Sequence, residues 1–283
     1  MSIGIIGIDH PVIAVRDMAA ARGFYQRLGF TIPPRGSHLE WGTGNWCIMF
    51  QRDYLELRGI VDAERYLHGL DGFLERREGL MGVAFVPRSA DETYSLARAC
   101  GLDATTPREL TRRFELAEGE VHPRFRLVFF DQRQTEGLMA SLVCQHLTPE
   151  LIRRPEWTRH ANGSLAVAAL TAVVADITLV RRQQETLFGA AAVREANGRL
   201  VVDAGGGARL EFMTQAEAEQ RRVALAGVAL PYLSAITLAV AALAETSGLL
   251  ERNGVSFQEE DDLLRVAPED ACGVILRFRE NRR

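Results

Sequence analysis

The sequence predicts an α+β protein assembled from four copies of one βαβββ module, paired two by two into curled, cup-shaped mixed sheets. Three observations predict it. An apolar, β-branched run at residues 5–15 leads through Asp17 into a short amphipathic helix that stops at Gly29, and three strand-like stretches follow. The same grammar of strand, capped helix, glycine stop and further strands returns three more times along the 283 residues. No single copy has enough apolar surface to bury its own sheet, so copies one and two, and three and four, are expected to pair.

In the first module Asp17 is a helix N-cap, because its short carboxylate accepts from the first free backbone N–H groups. Ala21, Phe24, Tyr25 and Leu28 fall on one face of the helix, and Gly29 supplies the left-handed stop. Residues 30–32, 47–50 and 54–57 read as strands, separated by Pro33-Pro34 and by polar turns. The second module has a strand at 82–86, a helix at 90–99 closed by Gly101, and strands near 112–116, 124–130 and 138–145. The charged stretch 61–79 between the two is partly helical. The third module repeats the pattern with a strand at 165–174, Asp176 as the cap, and strands at 200–202 and 208–213. A charged helix at 215–224 leads to the fourth, with a strand at 233–240, a helix at 241–253 closed by Gly254, and strands at 256–258, 263–266 and 273–278. The division expected is a first domain at 1–148, a connecting segment at 149–161 with two prolines and alternating charges, and a second domain at 162–283.

Composition narrows the function classes. The chain is 47% apolar and 25% charged with a net charge of −4, which suits a folded core and gives no reason to expect a nucleic-acid partner. All 33 basic residues are arginine, so Schiff-base chemistry and a lysine-dependent phosphate loop are excluded, and no nucleotide cofactor is expected. The four cysteines Cys47, Cys100, Cys144 and Cys272 form no CxxC pair and read as free thiols in a reducing compartment. The first residues lack the basic start and cleavage site of a signal peptide, and no apolar run is long enough to span a membrane. The expectation is a cytoplasmic protein with no membrane partner.

One pair of residues points to a site. His10 on the first strand and Glu56 on the fourth are imidazole and carboxylate ligands that a curled sheet brings together. The string IDHPVIAVRDMAAARGFYQRLGF, with a strand histidine before a V-x-D helix cap and a Y-x-x-LGF exit, resembles the vicinal oxygen chelate superfamily, and YLEL carrying Glu56 reinforces it. That superfamily includes glyoxalase I, extradiol dioxygenases and the fosfomycin and bleomycin resistance proteins. Within it the chain is most similar to glyoxalase-like domain proteins. The strings His38-x-x-x-Gly42-Thr43-x-Asn45 and His160-x-Asn162-Gly163, together with LSAITLAV, ERNGVSF and PEDACGVILRF, carry that likeness.

The resemblance implies a divalent metal, Zn, Mn, Fe or Ni, in the first cup, with His10 and Glu56 as ligands and Gln145 or His146 as a third. In the second module the first-strand position falls on Met81 or Gly82 and the fourth-strand position near Gln145. In the second half the same positions fall on Ala169, Ala235, Glu211 and Arg277, and no metal is expected there; a guanidinium at Arg277 suits pairing with Glu211. Glu56 and His38 are the candidate catalytic residues. Substrate contacts are assigned to His38, Thr43, Asn45, Trp46, His160 and Asn162, with the Gly-Thr-Gly-Asn string read as a turn at the mouth of the cup. His68 and His122 read as surface residues.

Three functions follow. The first is a metal-dependent glyoxalase-like lyase or isomerase acting on a small vicinal-oxygen substrate. The second is a metal-free small-molecule-binding protein of the bleomycin-resistance type, favoured by the departures from the ligand pattern in three modules. An extradiol-type dioxygenase ranks below both, because only His10 stands at a matching histidine position. Pairing of modules within one chain leaves monomer and homodimer both open.

Overall fold

The computed structural model describes residues 2–116 and 118–281. The first half contains β1 (Ile5–Ala14), α1 (Met18–Arg27), β2 (Gly36–His38), β3 (Thr43–Met49), β4 (Tyr54–Ile60), α2 (Leu70–Arg76), β5 (Gly79–Pro87), α3 (Ala90–Ala99), β6 (Arg108–Leu116), β7 (Gly119–Val121), β8 (Arg124–Phe129) and β9 (Ala140–His146). The second contains β10 (Ser164–Val173), α4 (Ile177–Phe188), β11 (Val193–Ala196), β12 (Arg199–Gly205), β13 (Ala208–Met213), α5 (Gln215–Gln220), β14 (Tyr232–Val240), α6 (Leu243–Arg252), β15 (Phe257–Glu260), β16 (Leu263–Val266) and β17 (Ile275–Glu280). This is the α+β class, with one curled mixed sheet per half.

The first sheet has the order β2-β3-β4-β1-β5-β9-β8-β6-β7, and β2 also pairs with β6 through Gly36↔Phe114, Ser37↔Arg113 and His38↔Arg112. That pairing closes the sheet into a ring with an interior. The second sheet runs β11-β12-β13-β10-β14-β17-β16-β15, and among the described residues no ladder joins its ends. At the centre of each sheet the first strands of two modules lie antiparallel, and each takes its own fourth strand in parallel: β1 with β4 and β5 with β9, β10 with β13 and β14 with β17.

Local chemistry sets the boundaries. Asp17 accepts from Ala19 N and Ala20 N at 2.8 and 2.9 Å, and Asp176 does the same for α4. Gly29 takes φ +87°, and a Cβ there would come within 2.6 Å of Leu249 Cδ2. Two strand expectations shift. Residues 30–32 form no strand, because Thr31 N and Oγ1 are bonded to His160 Nδ1 and Arg159 O, and the ladder starts after the prolines, at Gly36. Thr43, Gly44 and Asn45 are the first residues of β3 rather than a turn; Gly36↔Asn45 and Ser37↔Gly44 draw them into the ladder.

The outer faces of both sheets, with α1, α3, α4 and α6, enclose one continuous apolar core containing Phe85, Phe188, Leu170, Phe30 and Phe278. Between β9 and β10 the chain returns over this seam. His160 accepts from Thr31 N at 3.1 Å and donates to Met49 O at 2.9 Å, while Asn162 donates to Leu28 O at 2.8 Å and accepts from Ser164 N at 3.0 Å. None of the described helices is long and apolar enough to cross a membrane.

Asp53 binds the seam from the first sheet. Its carboxylate accepts from Val167 N at 2.9 Å while only 4% exposed. Burial pushes its pKa up to about 7, against the pull of the Val167 N–H and Arg52. A folded-state pKa above the unfolded value means that the folded chain binds the extra proton between about pH 4 and 7. Stability therefore falls as pH rises through that window. Asp53→Asn keeps an acceptor for Val167 N and removes the buried charge. It is expected to raise the unfolding midpoint at pH 8 by an amount on the order of a few kcal/mol in stability and to leave it almost unchanged at pH 4. Parallel thermal melts of the two proteins across that range check this.

Candidate functional site

Alternation along the strands of the ring decides which side chains share its interior. On the β3–β4 ladder Asn45 stands opposite Arg58, Cys47 opposite Glu56 and Met49 opposite Tyr54, so these six face one way. His10 and Val12 join them from β1, with Val12 opposite Glu56. Across the ring, Phe125, Leu127 and Phe129 of β8 stand opposite His146, Cys144 and Leu142 of β9. The closing β2–β6 pair brings His38 and Arg112 side by side. The resulting cavity, of about 30 Å³, is lined by His10, His38, Tyr54, Glu56, Arg58 and Arg112 on one side. Its other wall is apolar, formed by Leu110, Phe125, Leu127, Phe129 and Leu142 beside Cys144.

Asp9 should face outward by alternation, yet it sits in the same polar network. The β1–β5 register steps from Ile8↔Phe85 to His10↔Ala84, so Asp9 is the extra residue of a bulge and its side chain is re-aimed. Its Oδ2 lies 2.7 Å from His10 Nδ1, and both its oxygens lie 2.9–3.0 Å from His146 Nε2. Sequence reasoning missed Asp9 because a bulge leaves no mark on apolar/polar alternation.

Glu56 is the hub. Buried at 2% exposure, it accepts from Arg58 Nη2 at 2.6 Å and from Asn45 Nδ2. His10 Nε2 lies 3.5 Å from Oε2 and His38 Nε2 3.8 Å from Oε1. His10 is held flat against Tyr54, with ring centroids 4.3 Å apart. Arg112 Nη2 donates to Asn45 Oδ1 at 2.7 Å and to Cys47 Sγ at 3.3 Å.

These contacts fix the charge states. Burial alone would raise the Glu56 pKa, but Arg58, then His10 and His38, override it and hold the carboxylate well below its usual range. Asp9 is lowered in the same way, burial being outweighed by His146 and His10. His10 is raised, since Asp9 and Glu56 outweigh its desolvation. Burial and the Arg58 charge push His38 down to about 3, so it is neutral, and its Nδ1 contacts Thr43 Oγ1 at 2.8 Å and Thr43 O at 3.2 Å. Burial pushes Cys47 up to about 11 and Cys144 well above the usual thiol value, so neither is a thiolate at neutral pH.

The structure brings His10, His38, Thr43, Asn45, Glu56 and His146 into one network. It does not bring the others. Gln145 is on the outer face, where its Oε1 accepts from Ala90 N at 2.8 Å. Trp46 also faces outward, donating to Met18 O at 3.1 Å under the Arg22 guanidinium. His160 and Asn162 are committed to the seam. His68 is not a free surface residue, because it stacks on Trp41 at 4.8 Å and leans against Phe129 at 4.7 Å; His122 is exposed beside Glu120. Arg58 and Arg112 are cup residues that the sequence reading did not assign. Arg58 carried a signal, standing two residues after Glu56 on the same strand face.

The ladder also corrects the counting of ligand positions. Val12, five residues before the cap Asp17, stands opposite Glu56; Ala84, five before the cap Ser89, stands opposite Leu142. The second module's fourth-strand position is thus Leu142, not a residue near Gln145, and its first-strand position is Gly82. Neither side chain binds a cation. Separately, ligand atoms of Asp9, Cys144 and His146 lie within 4.8 Å of one another, an Asp/Cys/His set of the type divalent metals accept. Its carboxylate is already shared by His10 and His146. In the second half, Arg277 Nη2 donates to Thr171 Oγ1 at 2.9 Å and lies 3.8 Å from Glu211.

With this geometry in hand, comparisons with known proteins place the chain. Residues 8–188 match the family described as the glyoxalase-like domain. A hypothetical protein from Staphylococcus aureus superposes with a TM-score of 0.70 at 10% identity, covering 97% of this chain and 99% of that one. A mutant 4-hydroxymandelate synthase from Streptomyces coelicolor gives 0.67 at 12% identity, covering 98% and 93%. A xylose isomerase-like TIM barrel/4-hydroxyphenylpyruvate dioxygenase fusion protein gives 0.64 at 11%, covering 98% of this chain and 49% of that one. At these identities the likeness shows the vicinal oxygen chelate fold alone. Among curated proteins nothing matches.

The hub predicts an asymmetry between single and double substitutions. Glu56→Gln leaves Arg58 buried without its anion and is expected to lower stability by roughly 3–5 kcal/mol. Glu56→Gln combined with Arg58→Met removes both charges and is expected to recover most of that loss. Urea unfolding of the wild type and the two variants measures it; equal losses in single and double variants would show that Arg58 and Glu56 are not coupled.

Proposed function

Because the chain belongs to the glyoxalase-like domain family, we propose that its first cup binds a small oxygenated molecule and does so without a metal at the His10–Glu56 position. The observation that carries this reading is the Arg58 guanidinium, 2.6 Å from Glu56 Oε2. A divalent cation at Glu56 would face that fixed positive charge and compete with it for the same oxygen. Three protein ligands are usual for a catalytic zinc, and the second module offers only Gly82 and Leu142 at the positions from which a third would come. The family's metal therefore does not fit the His10–Glu56 position, and this reading ranks a dioxygenase built on that pair last.

The charge states favour holding a ligand over attacking one. Glu56 stays ionised, His38 stays neutral with Nε2 toward the cavity, and both buried thiols keep their protons. Glu56 and His38, the candidate catalytic pair, become polar anchors, with Thr43 and Asn45 setting their orientation. In this reading residues 1–148 carry the working cup, 149–161 tie the halves together, and 162–283 form a buttress. The cup is complete within one chain.

One observation favours a second reading as a lyase or isomerase. His10 lines the cavity with Asp9 behind its Nδ1 at 2.7 Å, the arrangement of an oriented imidazole acid/base. Such a group moves a proton at Nε2 without a metal.

Ligand-detected NMR against a set of small hydroxy-, oxo- and carboxy-compounds tests the cup. Binding is expected in the wild type and is expected to disappear in Leu142→Phe, which fills the cavity, while Glu211→Gln in the second half leaves it intact. Binding that survives Leu142→Phe and vanishes with Glu211→Gln would overturn the assignment of the first cup.

A further inference from the structure

The charges of the cup do not cancel pair by pair. Asp9 is held by His10 and His146, and Glu56 is held by Arg58. That leaves Arg112, only 3% exposed, with no carboxylate in direct contact: it touches Asn45 Oδ1, Cys47 Sγ and the face of Phe114 at 4.5 Å, and the Glu56 charge acts on it only from beyond Asn45. Burying a guanidinium without an anion is costly, and a fold retains one where something else supplies the charge. The Nε groups of Arg58 and Arg112 are both buried, and neither has an acceptor. Both arginines line the same cavity, Arg58 beneath the Trp41 ring at 5.8 Å.

We infer that the molecule bound in the first cup is a small organic carboxylate, its two oxygens received by Arg112 and Arg58 and its carbon body laid against the apolar wall. The inference rests on the reading of the cup as a ligand site and adds the charge of the ligand. Guanidinium groups match planar, two-oxygen anions, which is why arginine recurs where carboxylates are recognised. At roughly 10–15 Å³ per water-sized group, the cavity of about 30 Å³ takes the head group alone, so the carbon body enters by displacing the apolar side chains that line it. Leu110, Leu127 and Leu142 with Phe125 and Phe129 then offer the body only dispersion and burial. The neutral His38 adds an acceptor for a ligand hydroxyl beside the carboxylate.

Four matched pairs of probes test it: acetate and acetamide, glycolate and glycolamide, pyruvate and pyruvamide, benzoate and benzamide, at constant ionic strength, read by thermal shift and titration calorimetry. At least one carboxylate is expected to raise the melting temperature while its amide does not. Arg112→Gln is expected to weaken that carboxylate by at least about tenfold, and Arg112→Lys, which keeps the charge and loses the fork, by less. The lysine variant covers the case in which the glutamine variant fails to fold. Amides that protect as well as carboxylates, with both lost in Leu142→Phe, would overturn the charge assignment and leave the cup reading standing. A carboxylate effect unchanged in both Arg112 variants would overturn the inference. No effect from any probe would overturn it together with the cup reading.

Discussion

Everything at the centre of this protein depends on keeping the Glu56 carboxylate ionised inside a ring of strands. The cost of burying that charge is offset by Arg58 and Asn45 at hydrogen-bond distance, with His10 and His38 flanking. Each partner is placed by backbone geometry. Arg58 follows two residues later on the same face of β4, Asn45 is its cross-strand neighbour on β3, and His10 stands on β1, the parallel neighbour of β4. Asn45 then passes the network on to Arg112, so a chain of polar contacts runs across the β2–β6 seam that closes the ring.

The two halves share a module and differ in closure. In the first, three residue pairs between β2 and β6 convert a curled sheet into a ring with an enclosed polar interior. In the second the corresponding interior holds Arg277 bonded to Thr171 and 3.8 Å from Glu211, a carboxylate that Arg199 also approaches at 3.5 Å. Duplication thus supplied two cups. The first has two arginines lining a cavity, one of them with no carboxylate in direct contact, while in the second Arg277 stands beside a carboxylate of its own sheet.

Most of the fold was legible in the sequence, because caps, glycine stops and apolar runs are local signals. Asp17, Gly29, Asp176 and Gly254 fall where the helices begin and end. Residues 30–32 and the Gly-Thr-Gly-Asn string were misread because long-range partners, the His160 segment and β2, decide them. The site was less legible. A one-residue difference separates outward Gln145 from inward His146, and counting along a sequence does not resolve a register that a ladder fixes. Asp9 was hidden by a bulge, and Arg112 reaches the cup through the long-range β2–β6 closure, which no local signal announces. The motif resemblance implied His10 and Glu56, which do meet; the arginine that claims Glu56 is what separates this cup from a metal-chelating one.

The most direct test of this account is metal content by elemental analysis of untagged protein, as purified and after incubation with Fe²⁺, Mn²⁺, Zn²⁺ and Ni²⁺, beside Glu56→Gln. The account predicts no stoichiometric metal that depends on Glu56, with the same content in both proteins. About one ion per chain in the wild type, lost in Glu56→Gln, would contradict it, because Arg58 would then have yielded its carboxylate to a cation.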